Sequence, residues 1–159
     1  MIVRAAALFG AACAVVALAI GGSSADQTSA VSVQNPARAQ MNYMLNCQGC
    51  HLADGRGMAG KVPNMAGEVG RFLKTPGGRA YLSRVPGVTN AALSDADLAD
   101  VMNWTLASFD PAGVPDGFKP YTAEDMAAGR ARGLSIRAEE ARGELLKALA
   151  EESAADGDY

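Results

Sequence analysis

The pentapeptide Cys47-Gln48-Gly49-Cys50-His51 constrains this chain more than any other stretch. Two cysteines two residues apart, followed at once by histidine, form the signature for covalent haem attachment. Each thiol adds across one vinyl group to give a thioether. One turn of helix spaces the two sulfurs to meet both vinyls, and the histidine after them can bind iron from one face of the ring. Zinc is the main rival, but a structural zinc site closes a tetrahedron of four ligands. The chain has one histidine and, outside the motif, only Cys13. A thioredoxin-type redox CxxC sits in a βαβ context that the flanking sequence does not have. The motif therefore names Cys47, Cys50 and His51 as cofactor-binding residues, with His51 as an axial iron ligand. A single motif implies one haem.

The N-terminal segment agrees with that chemistry. Arg4 is a short positive region, and Ala5 to Ile20 is a small-apolar run broken only by Gly10. Gly21-Gly22-Ser23-Ser24-Ala25 then supplies the small residues that a signal peptidase reads. Residues 1–25 are read as a signal peptide, with Ala30 as the second choice of cut. An uncleaved anchor is the rival, although the run is short for a span of about 20 residues. Cys13 lies mid-run, with no leucine three residues earlier to suggest lipidation. Haem is attached outside the cytoplasmic membrane in bacteria, so a periplasmic location is expected, with membrane association only if the segment is retained. Cutting there discards Cys13 and leaves both remaining cysteines to haem.

The remaining chain, about 130 residues, suits one small domain with a modest core. Without Arg4, 13 basic residues face 17 acidic ones. That balance argues against nucleic-acid binding.

Residues 26–36 are polar and are read as a flexible leader. Asn35-Pro36 then marks a helix start, an N-cap followed by proline at the first position. The helix runs from Ala37 to Asn46, and spacings of three and four among Gln40, Tyr43, Met44 and Cys47 turn Tyr43 and Met44 inward. Leu52 to Lys61, punctuated by Gly55, Gly57 and Gly60, is a loop. It lacks the strand and the GK[ST] of a phosphate loop. Short helices follow over Gly67–Thr75 and Arg79–Arg84, the second closed by Pro86-Gly87.

Ser94 to Phe109 is the clearest helix in the chain. Ser94-Asp95-Ala96-Asp97 is a variant capping box with acids in the first turn. Leu98, Val101, Met102, Thr105 and Phe109 form its inward stripe, Trp104 flanks it, and Asp110-Pro111 ends it. Residues 113–121 are a loop. From Thr122 the composition changes to a charged helical tail with a narrow ridge of Ala138, Ala141, Leu145 and Leu149. It is read as a solvated helix lightly packed or partly disordered, with a partner-docking helix as the alternative. Residues 151–159 are a loose acidic end.

In this order of features, Ala37 to about Tyr121 resembles a class I c-type cytochrome, an all-α fold wrapped around one covalent haem. The charged tail over 122–159 is extra. The resemblance implies that Tyr43 and Trp104 pair where the first and last helices cross. It also implies that the Pro63 carbonyl receives the imidazole Nδ1–H of His51 and so tunes the iron.

One departure stands out. The family draws its second axial ligand, a methionine sulfur, from the loop before the last helix. Here that loop reads Val85-Pro86-Gly87-Val88-Thr89-Asn90-Ala91, with Asn90 where the sulfur is expected. Met65 and Met58 fall on the histidine side. Met102 is the candidate sixth ligand, against ordinary core packing, and Met44 and Met126 are weaker candidates.

The expected function is periplasmic electron transfer through one haem, as a free carrier or as the cytochrome partner of a dehydrogenase or terminal oxidase. The acidic balance suits a partner with a basic patch and binding that weakens with salt. Two alternatives stand. The missing loop methionine suits a binder of carbon monoxide, nitric oxide or peroxide at an open iron site, and the tail suits a clamp in a permanent complex. Enzymatic activity is not expected, because no nucleophile–base pair or carboxylate pair is apparent and no second histidine could serve as a distal acid–base.

Overall fold

A computed structural model describes residues 31–156. The signal-peptide reading, the first half of the leader and residues 157–159 lie outside them. Among the described residues the chain is helical, its only β feature being an isolated bridge between Met58 and Val62. No helix there is long and apolar enough to cross a membrane.

Helix α1, Pro36–Asn46, begins as its sequence dictates. The Asn35 side chain accepts the Arg38 N–H and Pro36 occupies the first turn, where its missing N–H costs nothing. Its buried face consists of Ala39 and Tyr43, four residues apart. Met44 lies outside that face and is 49% exposed, which corrects the inward orientation read from spacing. One residue is about 100° of helix, so only one of Tyr43 and Met44 can point squarely at the core.

The short helix α2, Gln48–His51, carries the motif, and a glycine-rich loop follows it. Gly67–Thr75 is not the expected regular helix. Gly67 takes a positive φ of 68°, and only a 3₁₀ stretch, Gly70–Lys74, forms. Gly70 abuts the backbone at Gly113–Val114, a close approach that leaves no room for a Cβ. Helix α3, Gly78–Arg84, matches expectation, but Pro86 opens a further turn, α4, Pro86–Thr89, rather than closing one. Proline at a first helical position initiates as readily as it terminates.

Helix α5, Asp95–Phe109, has Ser94 as N-cap, its side chain accepting the Asp97 N–H. It crosses α1 and supplies Leu98, Ala99, Val101, Met102, Thr105 and Leu106 to the interior. Asp110 ends it with a buried side chain that accepts the Gly70 N–H at 2.7 Å and ties the helix end to the 3₁₀ stretch.

The C-terminal segment departs most from expectation. Helix α6, Ala123–Ala131, starts with a full capping box between Thr122 and Asp125, and α7 spans Ala138–Asp156. Met126 is 0% exposed and Leu134 is 8% exposed, and both belong to the same core cluster as Leu98, Met102 and Leu106. Ala138, Ala141, Leu145, Leu146 and Leu149 of α7 pack partly buried against that cluster. A lightly packed, solvated helix therefore does not describe residues 122–134. The sequence signal was weak because α6 contributes single residues, Met126 and Gly129, rather than a continuous ridge. Gly129 lets α6 approach the Ser83 carbonyl of α3 closely. The leader is also tied down where it is described. Val31 packs on the core, and the Gln34 N–H donates to Asp100 at 3.2 Å.

Two arginines fasten α6. Arg79 pairs with Asp125 at 2.7 Å, donates to the Lys119 carbonyl, and lies 4.3 Å over the Tyr121 ring. Arg130 donates to the carbonyls of Ala91 and Leu93 at 3.1 and 2.8 Å and pairs with Asp95 at 2.9 Å. A single side chain thereby gathers the loop before α5 and the first turn of α5.

Candidate haem site

The motif sits on one helical turn because α1 ends just before it. The Cys47 N–H still donates to the Tyr43 carbonyl at 2.8 Å, and the N–H groups of Cys50 and His51 then converge on the Cys47 carbonyl at 3.1 and 3.0 Å. Both thiols are free, Cys47 half-buried and Cys50 exposed. Burial, and then the nearby Cys50, push the Cys47 thiol above its ordinary pKa. A Cβ on Gly49 would meet nothing, so the turn between the sulfurs opens onto free space. Among the described residues no group of three or more His, Cys, Asp or Glu is placed to hold a metal ion.

His51 is half-buried, and burial is the larger influence on it, pulling its pKa below the ordinary imidazole value. The Pro63 backbone acts in the opposite direction, raising it. Nδ1 is itself buried, yet closes no hydrogen bond of regular geometry. The Pro63 backbone is thus near enough to act on the ring. Gly57 sets this arrangement. Its N–H donates to the His51 carbonyl at 3.1 Å, and a Cβ on it would lie 2.6 Å from the Pro63 oxygen. Its φ of 67° is a conformation that glycine adopts without penalty. Spacing alone did not single out Gly57 as a site residue, although its place between two other loop glycines was a visible signal.

Behind the motif stand three rings. Tyr43 lies 5.1 Å from Trp104 and 5.2 Å from Phe109, and Trp104 meets Phe109 edge-on at 5.4 Å. The expected Tyr43–Trp104 pair therefore exists and is enlarged by Phe109. Gly55 packs flat against the Phe109 ring, where a Cβ would fall 2.8 Å from a ring carbon. Tyr43 is 1% exposed, and its hydroxyl donates to the Leu52 carbonyl at 2.6 Å.

The loop from Val85 to Ala91 is largely taken up by α4, and Asn90 is exposed beside a surface cleft of about 430 Å³ that Arg130, Ser135 and Ile136 also line. Met102 is 7% exposed in the core cluster with Leu98, Leu106 and Met126. Met65 is partly buried against that cluster, and Met44 and Met58 are exposed.

Two cysteines on one turn, open space beside the glycine between them, and a half-buried histidine directly after them with the Pro63 backbone nearby together suit a covalently held haem. No family model matches the chain. Two curated relatives do, both named cytochrome c-552 and both from Thermus thermophilus. Each is 35% identical over 107 aligned residues spanning 56% of this chain; the match spans 82% of one relative and 72% of the other. The chain belongs to the class I c-type cytochromes, and haem-based electron transfer is its function.

Proposed function

We propose that this protein is a periplasmic electron carrier with one haem, joined through thioethers at Cys47 and Cys50 and bound at iron by His51. The observation that carries this reading is the placement of Cys47 and Cys50 on a single helical turn with His51 directly after them. When bound, haem supplies a reversible one-electron change between ferric and ferrous iron.

Each protein group has a distinct task. The two sulfurs fix the macrocycle so that it cannot dissociate. The Pro63 carbonyl, acting on His51 Nδ1, selects the tautomer that leaves Nε2 for iron and makes the ring a better donor. Tyr43, Trp104 and Phe109 close the protein behind the motif and keep water from the iron's surroundings, which raises the cost of charge there and so tunes the potential. The role is carriage rather than catalysis, and its partners are other redox proteins, a dehydrogenase on one side or a terminal oxidase on the other.

The test is to produce the chain in a host able to attach haem outside its cytoplasmic membrane, and to titrate it reductively. A single one-electron wave coincident with the haem absorbance is expected. Two waves, or a coloured protein confined to the cytoplasm, would refute the reading.

A further inference from the structure

The acidic excess of the chain is not spread evenly. Residues 122–159 carry nine carboxylates against five cations. The segment bearing the motif is different. Over residues 36–66 there are three cations, Arg38, Arg56 and Lys61, and one carboxylate, Asp54. Two of those cations are neutralised locally, Arg38 by Asp97 at 2.9 Å and Arg56 by Asp54 at 3.2 Å.

The same segment holds five of the six large apolar side chains most exposed among the described residues. Met41, Met44 and Leu45 are 53, 49 and 75% exposed, and Leu52 and Met58 are 42 and 39% exposed. Met41, Met44 and Leu45 occur at i, i+3 and i+4 of α1, so they form one stripe on the face opposite Ala39 and Tyr43. α1 leads straight into the turn that carries Cys50, itself exposed. Single exposed apolar residues are ordinary, but a helical stripe of them next to the functional turn marks an interaction surface.

We infer that the stripe of Met41, Met44 and Leu45 is the docking face for a redox partner that presents an uncharged, apolar surface. This deepens the proposed electron-carrier function and rests on it. A face on which Arg38 and Arg56 are already paired within the chain, leaving Lys61 as the segment's remaining cation, has little charge to offer a partner. Desolvating apolar side chains supplies the attraction instead, and methionines adapt their shape to the surface they meet. Docking of this kind depends little on ionic strength, whereas docking through the acidic tail would weaken as salt rises.

The experiment uses the haem-loaded full chain on gold electrodes coated with methyl-, carboxylate- or amine-terminated alkanethiol monolayers, at low and high salt. The expected result is fastest electron exchange on the methyl surface, changing less than about twofold with salt. In the triple variant M41S/M44S/L45S, with its haem absorbance intact, exchange on that surface should fall by about tenfold, the equivalent of losing one substantial apolar contact. Fastest exchange on the amine surface, declining with salt, would overturn the inference in favour of the acidic tail. An unchanged triple variant would overturn it as well. Self-association in sedimentation that the triple substitution abolishes would reassign the stripe to a second copy of this chain. Mild oxidation of the haem-loaded protein adds an independent check. Met41 and Met44 should become sulfoxides before buried Met102 and Met126, and protection of the first two would show that the stripe is covered and overturn the inference. Loss of haem from the wild-type chain would refute the carrier function itself, an outcome separate from all of these.

Discussion

The Tyr43 hydroxyl donates to the Leu52 carbonyl at 2.6 Å, joining the residue four before the first motif cysteine to the residue immediately after the histidine. The bond brackets Cys47 to His51 and holds the turn against α1. Leu52 pays a conformational cost for it, with a φ of 63° and ψ of 171°, a region that only glycine enters freely. Replacing Tyr43 by Phe should destabilise the protein by about 1 kcal/mol in urea unfolding, because the aromatic packing stays and only the hydrogen bond goes. Leu52→Gly should be neutral or stabilising by the same assay.

The same tyrosine gives a pH signature. Burial, then Cys47 and Asp54, push its pKa from 10.0 up to about 12. The fold thus favours the protonated, donating form. The stability linked to that preference is complete below the unfolded value and is lost as pH rises towards the folded one. Between pH 10 and about 12 the wild type should lose stability more steeply than Tyr43→Phe in paired urea titrations. Parallel slopes would show that the hydroxyl carries no such linkage.

Gly57 should tolerate no side chain. Alanine there combines a positive φ with a Cβ 2.5 Å from the Val62 oxygen and 2.6 Å from the Pro63 oxygen. The expected loss is more than about 1 kcal/mol in stability. The Pro63 carbonyl should be displaced from His51, seen as a shifted reduction potential in Gly57→Ala. Gly60→Ala, which has a similar φ but open space around it, should leave the potential unchanged.

The tail belongs to the core. Met126 is fully buried, so Met126→Ala should cost about 2–5 kcal/mol in thermal or urea unfolding. Deleting residues 122–159 should yield a protein that binds hydrophobic dyes, since Leu98, Met102 and Leu106 lose their cover. A truncated chain with wild-type stability would refute this.

Met102 is best tested by a volume-conserving change. Its burial among Leu98, Leu106 and Met126 supports packing. Met102→Leu should therefore cost less than about 1.5 kcal/mol and leave the oxidised near-infrared spectrum as it is in the wild type. Disappearance of a sulfur-to-iron band in that variant would make Met102 the sixth ligand.

Much of this was legible in the sequence where chemistry is local. The motif and the Asn35, Ser94 and Thr122 caps depend on residues a turn apart or on one strong pattern, while the Tyr43–Trp104 crossing was implied only by the family resemblance. What was not legible depends on contacts between distant segments. Met44 and Tyr43 share the same spacing signal, and only the position of α5 decides which one is buried. Pro86 reads equally as a stop or a start. Met126 and Arg130 look like ordinary members of a charged helix until the fold brings α5 and the 89–93 carbonyls against them. Gly57 is a site residue only because the fold sets the Pro63 carbonyl where its side chain would be.

The most direct measurement follows haem through proteolysis. Trypsin, cutting after Arg38 and Arg56, releases residues 39–56 with both motif cysteines. After denaturation and acid–acetone extraction, mass spectrometry should find that peptide carrying one haem through two thioethers, with the colour retained. Haem passing into the acetone, or Cys47 and Cys50 recovered as free thiols, would contradict covalent attachment at these residues.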